Sequence, residues 1–237
     1  MEQAFESLNA NEYHLSIRFS PDGFDLWVCN ELNVQLSSKR VSVSLFSFSA
    51  CEIVKLLTPE LLLNYRTVRL ICESDQYTFV PAPVFKPESA ADFLHFQFNP
   101  AKNNQILFNP IPQWDSVNIF SIPKTVHDAL SQLFPDTRIE HHLGYFLTEN
   151  VKLQNDSGVY ISVRSAMMDV VVIVNGVILL INSFSFNTPE DFTYHTLNLF
   201  DKLHLDIENC NVVLYNADKK PELQKTLELY LEVTKGD

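Results

Sequence analysis

With 237 residues, 46% of them hydrophobic and only 19% charged, the chain has the make-up of one large or two small folded domains, not of a disordered segment. A formal net charge of −12, with no basic run longer than Lys39-Arg40 or Lys219-Lys220, works against binding to nucleic acid or to an anionic membrane surface. Five glycines leave little for a phosphate cradle made of close backbone approaches, and the four cysteines, at 29, 51, 72 and 210, match no zinc or redox spacing.

In chain order, Met1-Glu2-Gln3-Ala4 lacks the basic and apolar regions of a signal peptide. The longest apolar run, Val170–Ile181, is too short to span a bilayer, so the expected compartment is the cytoplasm. Tyr13, Leu15, Ile17 and Phe19 alternate with polar residues, the period of a half-buried strand. Pro21-Asp22-Gly23 predicts a tight turn, Phe24–Cys29 a second strand and Val34–Phe48 a third. Ser42, Ser44, Ser47 and Ser49 read as the exposed side of that third strand, not as a functional cluster. A helix is expected around Ala50–Leu63 and a strand at Thr67–Cys72.

The stretch 75–157 is less regular. Tyr77–Pro83 is extended but carries two prolines, which exclude a central strand. Glu88–Phe98 reads as a helix, and Ile106–Ile111 and Val117–Ser121 as strands. Pro123 is expected in the first turn of a helix over Lys124–Phe134, which Pro135-Asp136 ends. A short strand at Arg138–His141 and a helix at His142–Leu153 follow. Val159–Arg164 and Asp169–Val174 are strands, and Asn175-Gly176 is a type I′ turn into Val177–Phe186. Both arms of that hairpin are almost wholly apolar, which predicts burial on both faces. Thr188 as N-cap, Pro189 at the first position and Asp191 completing a capping box open the next helix. Asn211–Tyr215 is a strand, and Pro221–Leu231 a final amphipathic helix.

Residues 158–216 thus repeat the organisation of residues 13–72: three strands, a helix, and one more strand. A duplicated βββαβ unit predicts an α/β protein with mixed sheets in two subdomains, 1–136 (with the irregular stretch inserted) and 137–237. This is the order of elements in the duplicated ribonuclease-H-like fold of the actin, sugar-kinase and Hsp70 superfamily. Several stretches resemble a family of Bacteroidetes bacteria, the domain-of-unknown-function family three-eight-two-two. They are Tyr65-Arg66-Thr67-Val68-Arg69-Leu70 with Glu73 and Thr78-Phe79-Val80-Pro81, Phe108-Asn109, Val117–Pro123, Leu180-Ile181-Asn182-Ser183-Phe184 and Thr188-Pro189-Glu190-Asp191-Phe192. The resemblance covers nearly the whole chain. It implies an actin-like ATPase fold with ligand binding in a cleft between the halves, and it brings no activity with it.

In actin-like ATPases the turn after the first strand of each half carries a carboxylate in a D-x-G pattern. That carboxylate orients Mg²⁺ and the attacking water while glycine N–H groups hold phosphate. Here Ser20 stands at the acid position of the first half, and Pro21 removes a donor. In the second half Arg164 stands there, with no glycine after it. Arginine is a permanent cation without an acceptor, so it does not hold Mg²⁺; it is expected to pair with an acid across the cleft, with an anionic partner group as the alternative. The Gly-Gly adenosine loop is missing too. Ser20, Asp22, Arg164, Ser165 and Asp169 are the candidate ligand-binding residues of the implied cleft; no catalytic residue, metal ligand or cofactor is assigned. Asp25, Glu73 and Asp169 are too few and too scattered for a two-metal nuclease. His141-His142 lacks further ligands at suitable spacing and reads as a surface or partly buried pair. The neighbourhood of Phe108, Trp114 and Phe120 reads as aromatic core, with a recognition surface as the alternative. The expectation is a non-catalytic interaction or scaffold protein on a degenerate actin-like fold, its partner a protein not identified by the sequence or a second copy of the chain. The alternative is a divergent nucleotide-binding ATPase or phosphotransferase using the cleft.

Overall fold

The computed structural model describes residues 13–32, 34–44, 48–57, 65–151, 157–218 and 220–236. The strands are β1 (His14–Ser20), β2 (Gly23–Cys29), β3 (Gln35–Ser42), β4 (Thr67–Cys72), β5 (Tyr77–Pro81), β6 (Asn104–Ile111) and β7 (Ser116–Pro123). They continue with β8 (Ile139–His141), β9 (Gly158–Arg164), β10 (Met167–Val174), β11 (Val177–Ser185), β12 (Asn211–Tyr215) and β13 (Val233–Lys235). The helices are α1 (Ala50–Leu57), α2 (Ala90–Gln97), α3 (Lys124–Leu133), α4 (His142–Glu149), α5 (Pro189–Lys202) and α6 (Pro221–Leu227).

Two compact units divide the chain, Met1–Gly144 and Tyr145–Asp237. The sequence placed the division at 136/137; β8 lies with the first unit because it pairs in parallel with β4. The first unit holds a mixed sheet in the order β3-β2-β1-β4-β8 and a three-stranded antiparallel sheet in the order β5-β7-β6. The second holds β11-β10-β9-β12-β13. Strand for strand the two five-stranded sheets have the same order and directions: two antiparallel hairpins, then two parallel strands.

The correspondence extends to register. Ser20 pairs with Gly23, and Arg164 with Met167, across two-residue turns. Counted from those turns, Arg18 and Ser162 hold the same place in the first strands, and Asp25 and Asp169 the same place in the second. Each outer hairpin also carries a β-bulge at the equivalent point. Leu36 is the extra residue between the Val28–Ser37 and Cys29–Gln35 pairs, and Leu179 the extra residue between Val172–Leu180 and Ile173–Ile178.

Period-two patterning builds the cores. Leu15, Ile17, Phe19, Phe24, Leu26, Val28 and Leu70 are buried along one side of the first sheet, and Ile53 and Leu57 of α1 and Val126 and Leu130 of α3 are buried as well. In the second unit Val159, Ile161, Met168, Val170 and Val212 form one cluster with Phe192 and Leu199 of α5 and Leu223 and Leu227 of α6. Val80, Leu94, Val117 and Ile119 make a separate small core between α2 and the three-stranded sheet. Thr188 accepts from the Asp191 N–H at 3.1 Å while Asp191 takes the Thr188 N–H, a capping box contributing about 1 kcal/mol. Ser49 and Glu52 make the same reciprocal pair at α1, so Ser49 is a helix cap and not strand surface, whereas Ser42 and Ser44 are exposed and Ser47 lies outside the described residues. Asn175 and Gly176 have φ of 50° and 75°, as the type I′ turn demands.

Several expectations are corrected. Strand β3 stops at Ser42, well short of Phe48. Pro123 is the last residue of β7 and the N-cap of α3, one place earlier than its expected position inside the helix. Helices α4 and α6 end at Glu149 and Leu227; the ends expected at Leu63 and Leu153 lie outside the described residues. Strand β10 is buried on both faces, but β11 is an edge strand with Val177 59% and Leu179 48% exposed. Both arms are equally apolar, and only one has neighbours on both sides. Among the described residues no helix is long and apolar enough to cross a membrane.

Candidate functional site

The sequence-derived candidates fall into two clusters, one at the first turn of each unit. In the first, buried Ser20 donates its hydroxyl to Asp22 Oδ1 at 2.7 Å. Arg40 reaches across from β3, donating Nη2 to Ser20 Oγ at 3.3 Å, pairing with Asp22 at 3.0 Å and donating Nη1 to Asp25. The Ser20 hydroxyl does most to hold the Asp22 carboxyl below its ordinary value; burial opposes this and Arg40 adds to it. Burial works against the Arg40 charge, but the Asp25 and Asp22 carboxylates outweigh it and raise its pKa. Beside this group Arg18 Nε donates to Glu73 Oε1 at 2.7 Å, tying β1 to the first residue past β4.

Ser20 and Glu73 also border a recess of about 30 Å³ with Phe19, Cys72, Ile122 and Val126. That volume suits about one water molecule. Burial pushes the Cys72 thiol far up, with Glu73 adding to the effect, so this thiol is no nucleophile.

In the second cluster Arg164 Nε donates to Asp169 Oδ2 at 2.6 Å, with the two side chains only 10% and 2% exposed. Ser183 on β11 donates its hydroxyl to Asp169 Oδ1 at 2.7 Å. Ser165 takes a left-handed conformation with φ of 44°, and its carbonyl accepts from Lys220 Nζ, which lies 4.9 Å from the centre of the Phe186 ring. Asn216, also left-handed at φ 59°, donates to Ser162 Oγ at 2.9 Å, tying β9 to the first residue past β12 as Arg18 ties β1 to Glu73.

The structure therefore brings Ser20 and Asp22 together and, separately, Arg164 and Asp169; Ser165 contributes its backbone carbonyl. Sequence reasoning missed Arg18, Arg40, Ser162 and Asn216, because only strand register sets Arg40 opposite Asp25. Among the described residues no group of three His, Cys, Asp or Glu is placed to hold a metal ion.

His141 and His142 correct another expectation: they are 0% and 2% exposed, with ring centres 4.3 Å apart. His141 sits 4.9 Å from Tyr77 and 5.0 Å from Phe120, donates Nε2–H to the Ser74 carbonyl at 2.9 Å, and gives its backbone N–H to Asn109 Oδ1 at 3.0 Å. The pair joins the two sheets of the first unit. Phe120 is core, as expected, while Phe108 is 38% exposed and packs on Phe85 at 4.9 Å.

A solved structure from Bacteroides thetaiotaomicron VPI-5482, a protein with an actin-like ATPase fold and unknown function, is similar over 98% of this chain and 94% of that one. The likeness has a TM-score of 0.78 at 26% identity. The ethanolamine utilization protein EutJ from Carboxydothermus hydrogenoformans gives a TM-score of 0.49 at 9% identity, covering 94% and 84% of the two chains. A ROK family protein from Streptococcus pneumoniae TIGR4, solved with sucrose, gives 0.46 at 9%, covering 94% and 92%. Neither of these weaker likenesses bears on chemistry. No curated protein matches the chain. The model of one family matches residues 2–233, so this actin-like chain belongs to the protein family of unknown function DUF3822.

Proposed function

We propose that the chain is a non-catalytic interaction protein on a degenerate actin-like fold, its two like-ordered units descended from an internal duplication. The observation that carries this reading is that the acids at the strand ends are already taken by arginine: Asp22 and Asp25 by Arg40, Glu73 by Arg18, Asp169 by Arg164. A Mg²⁺ ion entering either cluster would have to displace a guanidinium already bonded to the carboxylate it needs. The matching bulges at Leu36 and Leu179 support the duplication, since a bulge is a designed irregularity with no reason to recur by chance at one register position. The net charge of −12 favours a protein partner over nucleic acid.

Calorimetric titration with Mg·ATP tests the reading. Binding weaker than ~10 μM, about 7 kcal/mol, and no release of phosphate are expected. Tighter binding or turnover would replace it with a nucleotide-dependent function.

A further inference from the structure

Strand β11 is the outer strand of its sheet, and from Val177 to Ser185 it carries no charged side chain. An uncharged open edge is a template for a strand from another chain. Phe186 N–H bonds to the Ala166 carbonyl at 3.0 Å. The pairs Met167–Ser185, Met168–Phe184, Asp169–Ser183 and Val170–Asn182 continue from it. Opposed residues in an antiparallel ladder alternate between bonded and unbonded pairs. Phe184 and Asn182 therefore face inward to β10, and Ile181, Ser183 and Ser185 turn their N–H and C=O groups outward. The middle one of these three donors is occupied: Asn182 Oδ1 accepts the Ser183 N–H at 2.9 Å. In the first unit the position equivalent to Asn182 is Lys39, opposite Leu26 as Asn182 is opposite Val170, and a lysine is a common guard of an exposed edge.

We propose that the Asn182 side chain keeps the β11 edge from pairing with the β11 edge of a second copy of the chain. A second copy is the fitting occupant. Antiparallel pairing of β11 with itself sets an uncharged strip against an uncharged strip, in a chain whose charge of −12 repels its copies elsewhere. Val177 and Leu179, exposed at the turn end, would be covered in the pair. The guard stands apart from the interaction role proposed above and is tested separately.

Sedimentation equilibrium over a hundredfold range of concentration reads the outcome. The wild-type mass stays that of one chain. Asn182→Ala moves toward two chains, with association at least tenfold tighter than wild type. Asn182→Val, a strand former with no acceptor, does the same should the alanine form misfold. Asn182→Asp, which keeps an oxygen at the same place, stays with the wild type. Adding Leu179→Lys to Asn182→Ala returns the single-chain mass. An Asn182→Ala chain that is folded by circular dichroism and still sediments as one chain overturns the proposal. So does a wild-type chain already paired through this edge.

Discussion

Asp25 and Asp169 occupy the same position in two sheets of the same order, yet they live in different surroundings. Asp25 is 40% exposed and meets Arg40 from the strand outside it. Asp169 is 2% exposed and meets Arg164 from the strand inside it, while Ser183 stands where Arg40 would. Backbone register is thus shared between the halves, and charge is not. One half builds its ion pair on the edge, in water, where such pairs contribute little. The other builds it against the middle of the sheet, where breaking it leaves a carboxylate with little water to turn to.

The comparison breaks first on the arginines. Arg164→Met should cost about 3 kcal/mol in urea unfolding, because it strands Asp169 with its charge. Arg40→Met should cost under about 1 kcal/mol, since both of its acids are solvated. Equal losses would show that the two pairs are energetically alike despite their burial. Next comes the turn of the second outer hairpin: Gly176→Val should cost about 2 kcal/mol, read in the same unfolding experiment, because a β-branched residue is forced to positive φ. A loss of a few tenths would mean that the turn tolerates another conformation.

The smallest effect sharpens the picture of the first cluster. Ser20→Ala removes the largest influence holding the Asp22 carboxyl down, so its pKa should rise toward the ordinary value in a carboxyl NMR titration. The sign for stability follows. A depressed carboxylate contributes above its unfolded pKa and loses that contribution as pH falls through the folded one. The Ser20→Ala chain should therefore have less of this contribution to lose, and should finish losing it at a higher pH than the wild type. An unmoved Asp22 would assign its shift to Arg40 instead.

How much of this was legible depended on whether the signal was local. Strands β4 and β12 read to the residue, because each is a short apolar run with clear ends. The α5 cap and the Asn175-Gly176 turn are chemistry within four residues and were equally plain. Hydrophobic pattern does not say which strand has a neighbour on its far side, so β11 looked as buried as β10. Strand β13, Val-Thr-Lys, is too short and too exposed to show a period, and it exists through its ladder with β12. The burial of His141 depends on Tyr77, Phe120 and Ser74, far away in sequence. The clusters were half legible for the same reason: Ser20, Asp22, Arg164 and Asp169 could be named from the sequence, but Arg40 meets Asp25 only through register.

The last strand of each sheet closes at a different point in the chain's own history. Leu70 on β4 waits for Ile139, whereas Val212 on β12 finds Val233, so the first closure spans a segment about three times as long. Loop closure alone makes the longer one about 1 kcal/mol harder, and distant pairings are the slow ones. During synthesis the outer side of β4 stays open until residue 141 has been made and His141 can dock on the Ser74 carbonyl. The second sheet completes within a single short stretch. Pulse-labelled hydrogen exchange during refolding should find the β13 amides protected before those of β8, which makes the N-terminal half, though made first, the later one to finish.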